Sequence, residues 1–380
     1  MSYIRKKMRN SSGLTLVELL VAVAIGLILM GGIYQVFVSS TTAYSRNENM
    51  SRIQENGRFA AQILQDTIYG AGFLGCSQDP GNFESLIRDS AVPTDPLIYN
   101  YLQPVYGLEW TGGAWADDLG AVDPVTASPQ GMGLSALVDD SDILVVRHIA
   151  HNLAFDLHAS MASASSVINV GAGIQMFTDA IATATRAPKP LLIADCESSS
   201  MFIPSAYDNA TGDISFDGMI PGALPAELNY LTAGQSWNDP SSFSQTYLLD
   251  SQVYFPQTTI FYVRSNPSGQ PALYRKVGFF PDEELVEGVE MMQLRYGVDN
   301  IGDDRIADDY VTANLIGDWD DVVSVRIGLL LRTLNENLRG GMNNRSYDVN
   351  EFIFNSANAD LDRRSRTVVN MTIGLRNRLR

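Results

Sequence analysis

Residues 13–38 read GLTLVELLVAVAIGLILMGGIYQVFV, and the whole architecture hangs on this stretch. From Leu14 to Val38, 25 residues, Glu18 is the only charged side chain. At ~1.5 Å of rise per residue, a helix of this length reaches about 37 Å, more than the roughly 30 Å of a hydrocarbon core. By length and composition it is a membrane span. Arg5, Lys6, Lys7 and Arg9 precede it, with no acid before Gly13. Such a cluster keeps its end in the cytoplasm and places the rest of the chain on the far side.

An ordinary secretory signal has a short apolar core with a small-residue cleavage site behind it. Here the apolar run is longer, and the polar break Asn10-Ser11-Ser12-Gly13 stands in front of it. Glu18 is the second oddity, because a carboxylate within lipid costs ~2.5 kcal/mol or more and is kept for a function. A plain anchor whose Glu reaches back to the interface is the alternative. Beyond the span, Ile53, Phe59, Ala60, Ile63, Leu64, Thr67 and Ile68 recur near helical spacing, and the glycines of the Gly70-Ala71-Gly72-Phe73-Leu74-Gly75 run end the pattern. The spacing predicts one helix of about 55 residues, half in lipid and half packed on a head.

The segment Gly13-Leu14-Thr15-Leu16-Val17-Glu18-Leu19-Leu20 resembles the cleavage and methylation motif of type IV prepilins. That resemblance implies cutting by a prepilin peptidase between Gly13 and Leu14, N-methylation of Leu14, and an assembly role for Glu18. Leu14 departs from the Phe usual at the first mature position. The implied organisation is a leader at 1–13, a transmembrane and assembly half-helix at 14–38, an outer half-helix at 39–70, and a periplasmic or extracellular head at 71–380. When such helices bundle in a filament, a buried carboxylate needs a cation, and the Leu14 ammonium of a neighbouring subunit meets that need.

After Cys76 the chain turns to Pro, Gly, Asp, Ser and Tyr with short apolar runs, the pattern of an antiparallel sheet. Ile143–His148 is a strand candidate. Thr259–Arg264 and Ala272–Val277 flank the turn Asn266-Pro267-Ser268-Gly269 and predict a hairpin. Val289–Val298 predicts another strand. Apolar residues alternate along Val322–Arg332, which predicts a half-buried strand, and again through Val369, Met371, Ile373 and Leu375. Residues 150–256, rich in Ala, Ser and Asp with weak periodicity, are expected to form a large irregular insertion of loops and small elements. The expected fold is α+β: a long N-terminal helix packed on an antiparallel head.

Leu285-Val286-Glu287-Gly288-Val289-Glu290, Tyr296-Gly297-Val298-Asp299, Trp319-Asp320-Asp321-Val322-Val323-Ser324-Val325-Arg326 and Leu375-Arg376-Asn377 resemble PilW-type minor pilins. The J-type pseudopilin of type II secretion shares part of this pattern. The likeness implies a subunit that joins other minor pilins and the major pilin, with the inner-membrane assembly machinery, to initiate a pilus, at its tip and beside a tip adhesin. A pseudopilin role, or an adhesive module in residues 150–256, are the alternatives.

Other features bound the chemistry. Lys and Arg total 26 against 43 Asp and Glu, a net charge of -17, which argues against a nucleic-acid partner. The two cysteines, Cys76 and Cys196, predict a disulfide in an exported head, with two separate buried thiols as the alternative. His148, His151 and His158 lie close in sequence but form no His-Glu-x-x-His motif; no phosphate loop or Gly-x-Ser-x-Gly turn is present, and no enzyme is expected. In the loop from Asp299 to Asp309, the residues Asp299, Asp303 and Asp308 are candidate oxygen ligands for calcium. A solvated acidic turn is the alternative there, and Ile301 and Arg305 favour it. The cationic end, with Arg363, Arg364, Arg366, Arg376, Arg378 and Arg380, is expected either to dock on an acidic neighbouring face or to solubilise a terminal strand.

Overall fold

The computed structural model describes residues 15–75, 80–87, 100–117, 120–122, 132–183, 187–220, 234–239, 241–278, 280–302, 304–336, 341–356 and 362–378. One α-helix, α1, runs from Leu16 to Tyr69, 54 residues. Thr15 caps it: its hydroxyl accepts the Glu18 amide while the Glu18 carboxylate accepts the Thr15 amide, the two halves of a capping box. At the other end the Gly70 amide returns to the Ile68 and Thr67 carbonyls, and Gly72 at φ +70° turns the chain away.

Ile53, Gly57, Ala60, Leu64 and Ile68 form the buried stripe of α1, at the three- and four-residue spacing of one helix face. Gly57 is the close-approach point: a Cβ there would lie 2.9 Å from Val369 Cγ2. Phe59, expected on this face, is half exposed instead.

Beneath the helix, the strands of the head form a layered sheet. Ile143–Asp156 and Gln252–Ser265 pair antiparallel at its centre, with Val105–Trp110 beyond the first and Pro271–Val277 beside the second. Glu283–Glu287 pairs with Pro271–Val277, and after Gly288 the chain enters Val289–Val298 of a second sheet. In that sheet, Val289–Val298 pairs with Val322–Arg332, which pairs with Arg366–Gly374. The expected hairpin is present, and Asn266 fixes its turn by accepting the Ser268 and Gln270 amides on its side-chain oxygen.

Val325, Ile327, Leu329 and Leu331 join α1 in the main core. The Val322–Arg332 strand is buried on both faces, not half-buried, because the hairpin of Ser346–Val349 and Phe352–Asn355 covers the other side over Leu330 and Met291. The terminal strand expected through Leu375 is found at Arg366–Gly374.

Residues 150–256 are more ordered than their weak periodicity suggests. The strand expected at 143–148 continues to Asp156, and its partner begins at Gln252, so two 14-residue strands extend beyond the main core. Around their outer ends, short strands at Leu191–Ala194, Ser199–Phe202 and Asp213–Ser215 enclose a second core. Phe177, Phe202, Phe216, Phe243, Tyr247 and Phe255 fill it, with ring centroids 4.5 Å apart at Phe216–Phe243. Aromatic packing across distant segments holds this region, and no period along the chain encodes it.

Candidate functional site

The N-terminal half of α1 has the geometry of an anchor. Every residue from Thr15 to Phe37 is exposed, including Leu16 and Ile28 at 75% each, so nothing among the described residues covers its apolar surface. The helix is long and apolar enough to cross a membrane. At its tip, Glu18 Oε2 accepts both the amide and the hydroxyl of Thr15 at 3.0 Å. The carboxylate thereby occupies the helix N-terminus, where unsatisfied amides favour negative charge. The Thr15-x-x-Glu18 spacing announces this cap in the sequence, although Thr15 was not among the expected site residues.

At the far end of α1, the residues that follow the helix meet the C-terminal segment around Asn377. The Ala71 carbonyl accepts Asn377 Nδ2 at 2.7 Å, the Gly72 amide donates to the Arg147 carbonyl at 3.1 Å, and Ala71 bridges His148. The helix is thus locked to the central strand of one sheet and to the chain segment that follows the last strand of the other.

Two matches follow this geometry. Residues 8–34 match the prokaryotic N-terminal methylation motif, and residues 260–377 match the family described as type IV pilus-assembly protein W. Over these two segments the chain is similar to PilW-type pilins. The second match begins inside the Gln252–Ser265 strand, just as that strand re-enters the main core, and ends at Asn377, which ties to α1. No curated protein and no solved structure matches the chain. Membrane anchoring through a single N-terminal span and a relation to type IV pili follow from the two matches together with the exposed half-helix.

Of the site residues expected from the sequence, Gly13, Leu14, Cys76 and Asp303 lie outside the described residues. Cys196 is exposed on a turn directly after Leu191–Ala194, where Asp195 accepts the Glu197 and Ser198 amides. Gly75, at φ +102°, packs so closely on this strand that a Cβ would lie 2.3 Å from Ala194 Cβ. The neighbours of the two cysteines are therefore in contact. Asp299 and Asp308 lie at the neck of the acidic loop, where the Asp308 amide donates to the Val298 carbonyl at 2.8 Å. Among the described residues, no group of three or more His, Cys, Asp or Glu is placed to hold a metal ion. His148 is buried in the sheet, with Nε2 2.9 Å from Thr259 Oγ1.

The cationic end divides. Arg366, whose side chain is 1% exposed, forms a two-sided network with Glu290 (2.6 and 2.9 Å) and Asp362 (2.8 and 3.0 Å). Arg332 approaches Glu290 at 3.2 Å, and Arg364 donates to the Thr333 carbonyl at 2.9 Å. Arg364 and Arg366 are thus engaged within the head, so of the two expected roles, docking or solubilising, neither falls to them; Arg376 is exposed. Charge-assisted bonds from two acids satisfy a guanidinium that burial would otherwise penalise.

A second buried charge cluster sits at the seam of the two sheets. Asp142 Oδ1 accepts the Trp110 amide and Oδ2 accepts the Leu294 amide, so one carboxylate ties the first sheet to the second. Burial, and then the neighbouring Glu109, hold Asp142 well above the usual carboxylate range. Glu109 is pushed up to about 7, chiefly by burial, with Arg295 opposing. Sequence reasoning passed over both, since acids are abundant in this chain and only the fold brings these two together.

Proposed function

We propose that this chain is a minor pilin of a type IV pilus that helps initiate assembly with other minor pilins, at the tip. The observation that carries the reading is the coupling of an uncovered apolar half-helix, with Glu18 at its tip, to a head whose 260–377 region is PilW-like. In this reading a prepilin peptidase cuts after Gly13 and methylates Leu14. The leader side faces the cytoplasm, the head faces the periplasm, and the subunit moves into the extracellular pilus. Its partners are other minor pilins, the major pilin, the inner-membrane assembly machinery and a tip adhesin, and its role is structural. In the filament, Glu18 exchanges its cap on Thr15 for the Leu14 ammonium of a neighbour, which satisfies the carboxylate among packed helices.

Cys76 and Cys196 are proposed to form a disulfide, supported by the contact of Gly75 with Ala194. It closes a loop of roughly 120 residues, for which chain entropy suggests stabilisation approaching ~4.7 kcal/mol. The Cys76→Ser/Cys196→Ser variant then melts lower, and both cysteines resist alkylation until reductant is added.

The function is tested by deleting the gene and restoring it as wild type or Glu18→Ala. Loss of surface pili on deletion, rescued by wild type and not by Glu18→Ala, is the expected result. Intact pili with lost export of folded enzymes indicates a pseudopilin instead. Recovery of protein that still begins at Met1, from cells with an active prepilin peptidase, overturns the processing step.

A further inference from the structure

The loop at 299–308 carries a feature that its hydrogen bonding leaves unexplained. Asp308 Oδ2 accepts the Asn300 and Ile301 amides at 3.0 and 2.7 Å, and Asp299 Oδ2 accepts the Arg305 amide at 2.5 Å. Those bonds brace the loop from both sides of its neck. Asp299 is 7% exposed, and its second oxygen, Oδ1, is buried without a hydrogen-bond donor among the described residues. A carboxylate oxygen removed from water and given no donor is expected to have a cation as its partner.

We propose that this loop is a calcium site organised by Asp299, with Asp308 opposite it across the neck. Asp309 pairs with Val298 in the antiparallel ladder, so residues 299 and 308 leave the two strands side by side, and each carboxylate accepts amides of the loop. Only oxygen donors are available from these two side chains and the loop carbonyls, which fits a hard cation. Calcium, unlike magnesium, accepts mixed carboxylate and carbonyl ligands in irregular geometry. The site is a two-carboxylate one among the described residues, in keeping with the lack of a three-acid cluster there. The remaining ligands are backbone carbonyls and water, which places the affinity in the weak class of extracellular calcium modules.

The test uses the full chain in detergent micelles, stripped with EGTA and titrated with calcium by calorimetry and by thermal melting. One calcium per chain is expected, with a Kd on the order of 10⁻⁴–10⁻³ M, and a melting rise of about 5 °C at a hundredfold excess. Asp299→Asn and Asp308→Asn each weaken binding at least ~10-fold, whereas Asp208→Asn, in a separate acidic turn bonded to Ala210 and Thr211, leaves it unchanged. In EGTA, Asp299→Asn is expected to melt at or above the wild type, because its side-chain oxygen still accepts the Arg305 amide while the buried negative charge is removed. That readout separates loss of a ligand from loss of folding. No heat and no melting shift up to ~10 mM calcium overturns the proposal, as does unchanged affinity in both variants. A wild type indifferent to calcium beside an Asp299→Asn that melts lower in EGTA assigns Asp299 a bracing role only and overturns it too.

Discussion

From Thr15 to Phe37 the long helix is exposed on every side, whereas from Ile53 to Ile68 it buries a single stripe against two sheets. The two halves share one hydrogen-bonded backbone but meet different surroundings. In the first, apolar residues encircle the helix, as lipid or neighbouring helices require. In the second they narrow to one face, with Gly57 admitting Val369 at the tightest contact. Secondary structure is therefore common to both halves, and what distinguishes them is who supplies the partner. The outer half finds its partner within the head; the inner half has none among the described residues.

Substitutions sharpen this contrast, because those in the head should register as lost folding stability and those in the inner half should not. The largest loss is expected where the head is fastened by buried charge. Arg366→Ala strips Glu290 and Asp362 of a guanidinium that is 1% exposed and should cost about 3–5 kcal/mol, read from denaturant unfolding of the protein in micelles. A drop within the range of a surface ion pair, under about 1 kcal/mol, would mean the network is not closed in solution.

Leu64→Ala comes next. Leu64 is fully buried between α1 and the sheets, so its truncation removes contacts and leaves a cavity, for about 2–5 kcal/mol. A smaller effect than Phe59→Ala, on the exposed side, would falsify the assignment of the packed face.

Glu109→Gln probes the seam through pH. Glu109 rises from 4.5 to about 7 in the fold, so the folded state binds its proton more tightly than the unfolded chain does. The stability this contributes is complete at low pH and is lost as pH climbs from about 4.5 through about 7. Asp142, raised in the same direction, reinforces that sign. Glu109→Gln is expected to flatten this part of the stability profile and to be the more stable form near pH 8. Parallel pH profiles for variant and wild type would show that folding does not raise the pKa of Glu109.

The smallest effect belongs to the inner half. Ile28 is 75% exposed in the chain by itself, so Ile28→Ala should change head unfolding by less than about 0.5 kcal/mol. A shift comparable to that of Leu64→Ala would break the comparison, because it would mean the inner half also packs on the head.

How far each region was legible in the sequence follows from the range of its interactions. The span, the lone Glu18 and the turn at Asn266-Pro267-Ser268-Gly269 depend on neighbours a few residues apart, and period and composition report them directly. So do Val289–Val298 and Val322–Arg332, whose strand limits match the alternation along the chain. The α+β arrangement of a long helix over a sheet head follows from those same local signals.

Tertiary structure alone decided the rest. Arg366 read as part of a cationic end until the fold placed it against Glu290, 76 residues away in sequence, and the close approach of Gly57 to Val369 joins residues more than 300 apart. The aromatic core within residues 150–256 draws Phe155 from a long strand, Phe202 from a short one and Phe243 from a loop, and the Glu109–Asp142 pair exists only where two sheets meet. Periodicity records which way a side chain faces along its own element. Which distant side chain it meets is fixed by packing and by the need to satisfy buried charge, and neither leaves a mark within a window of a dozen residues.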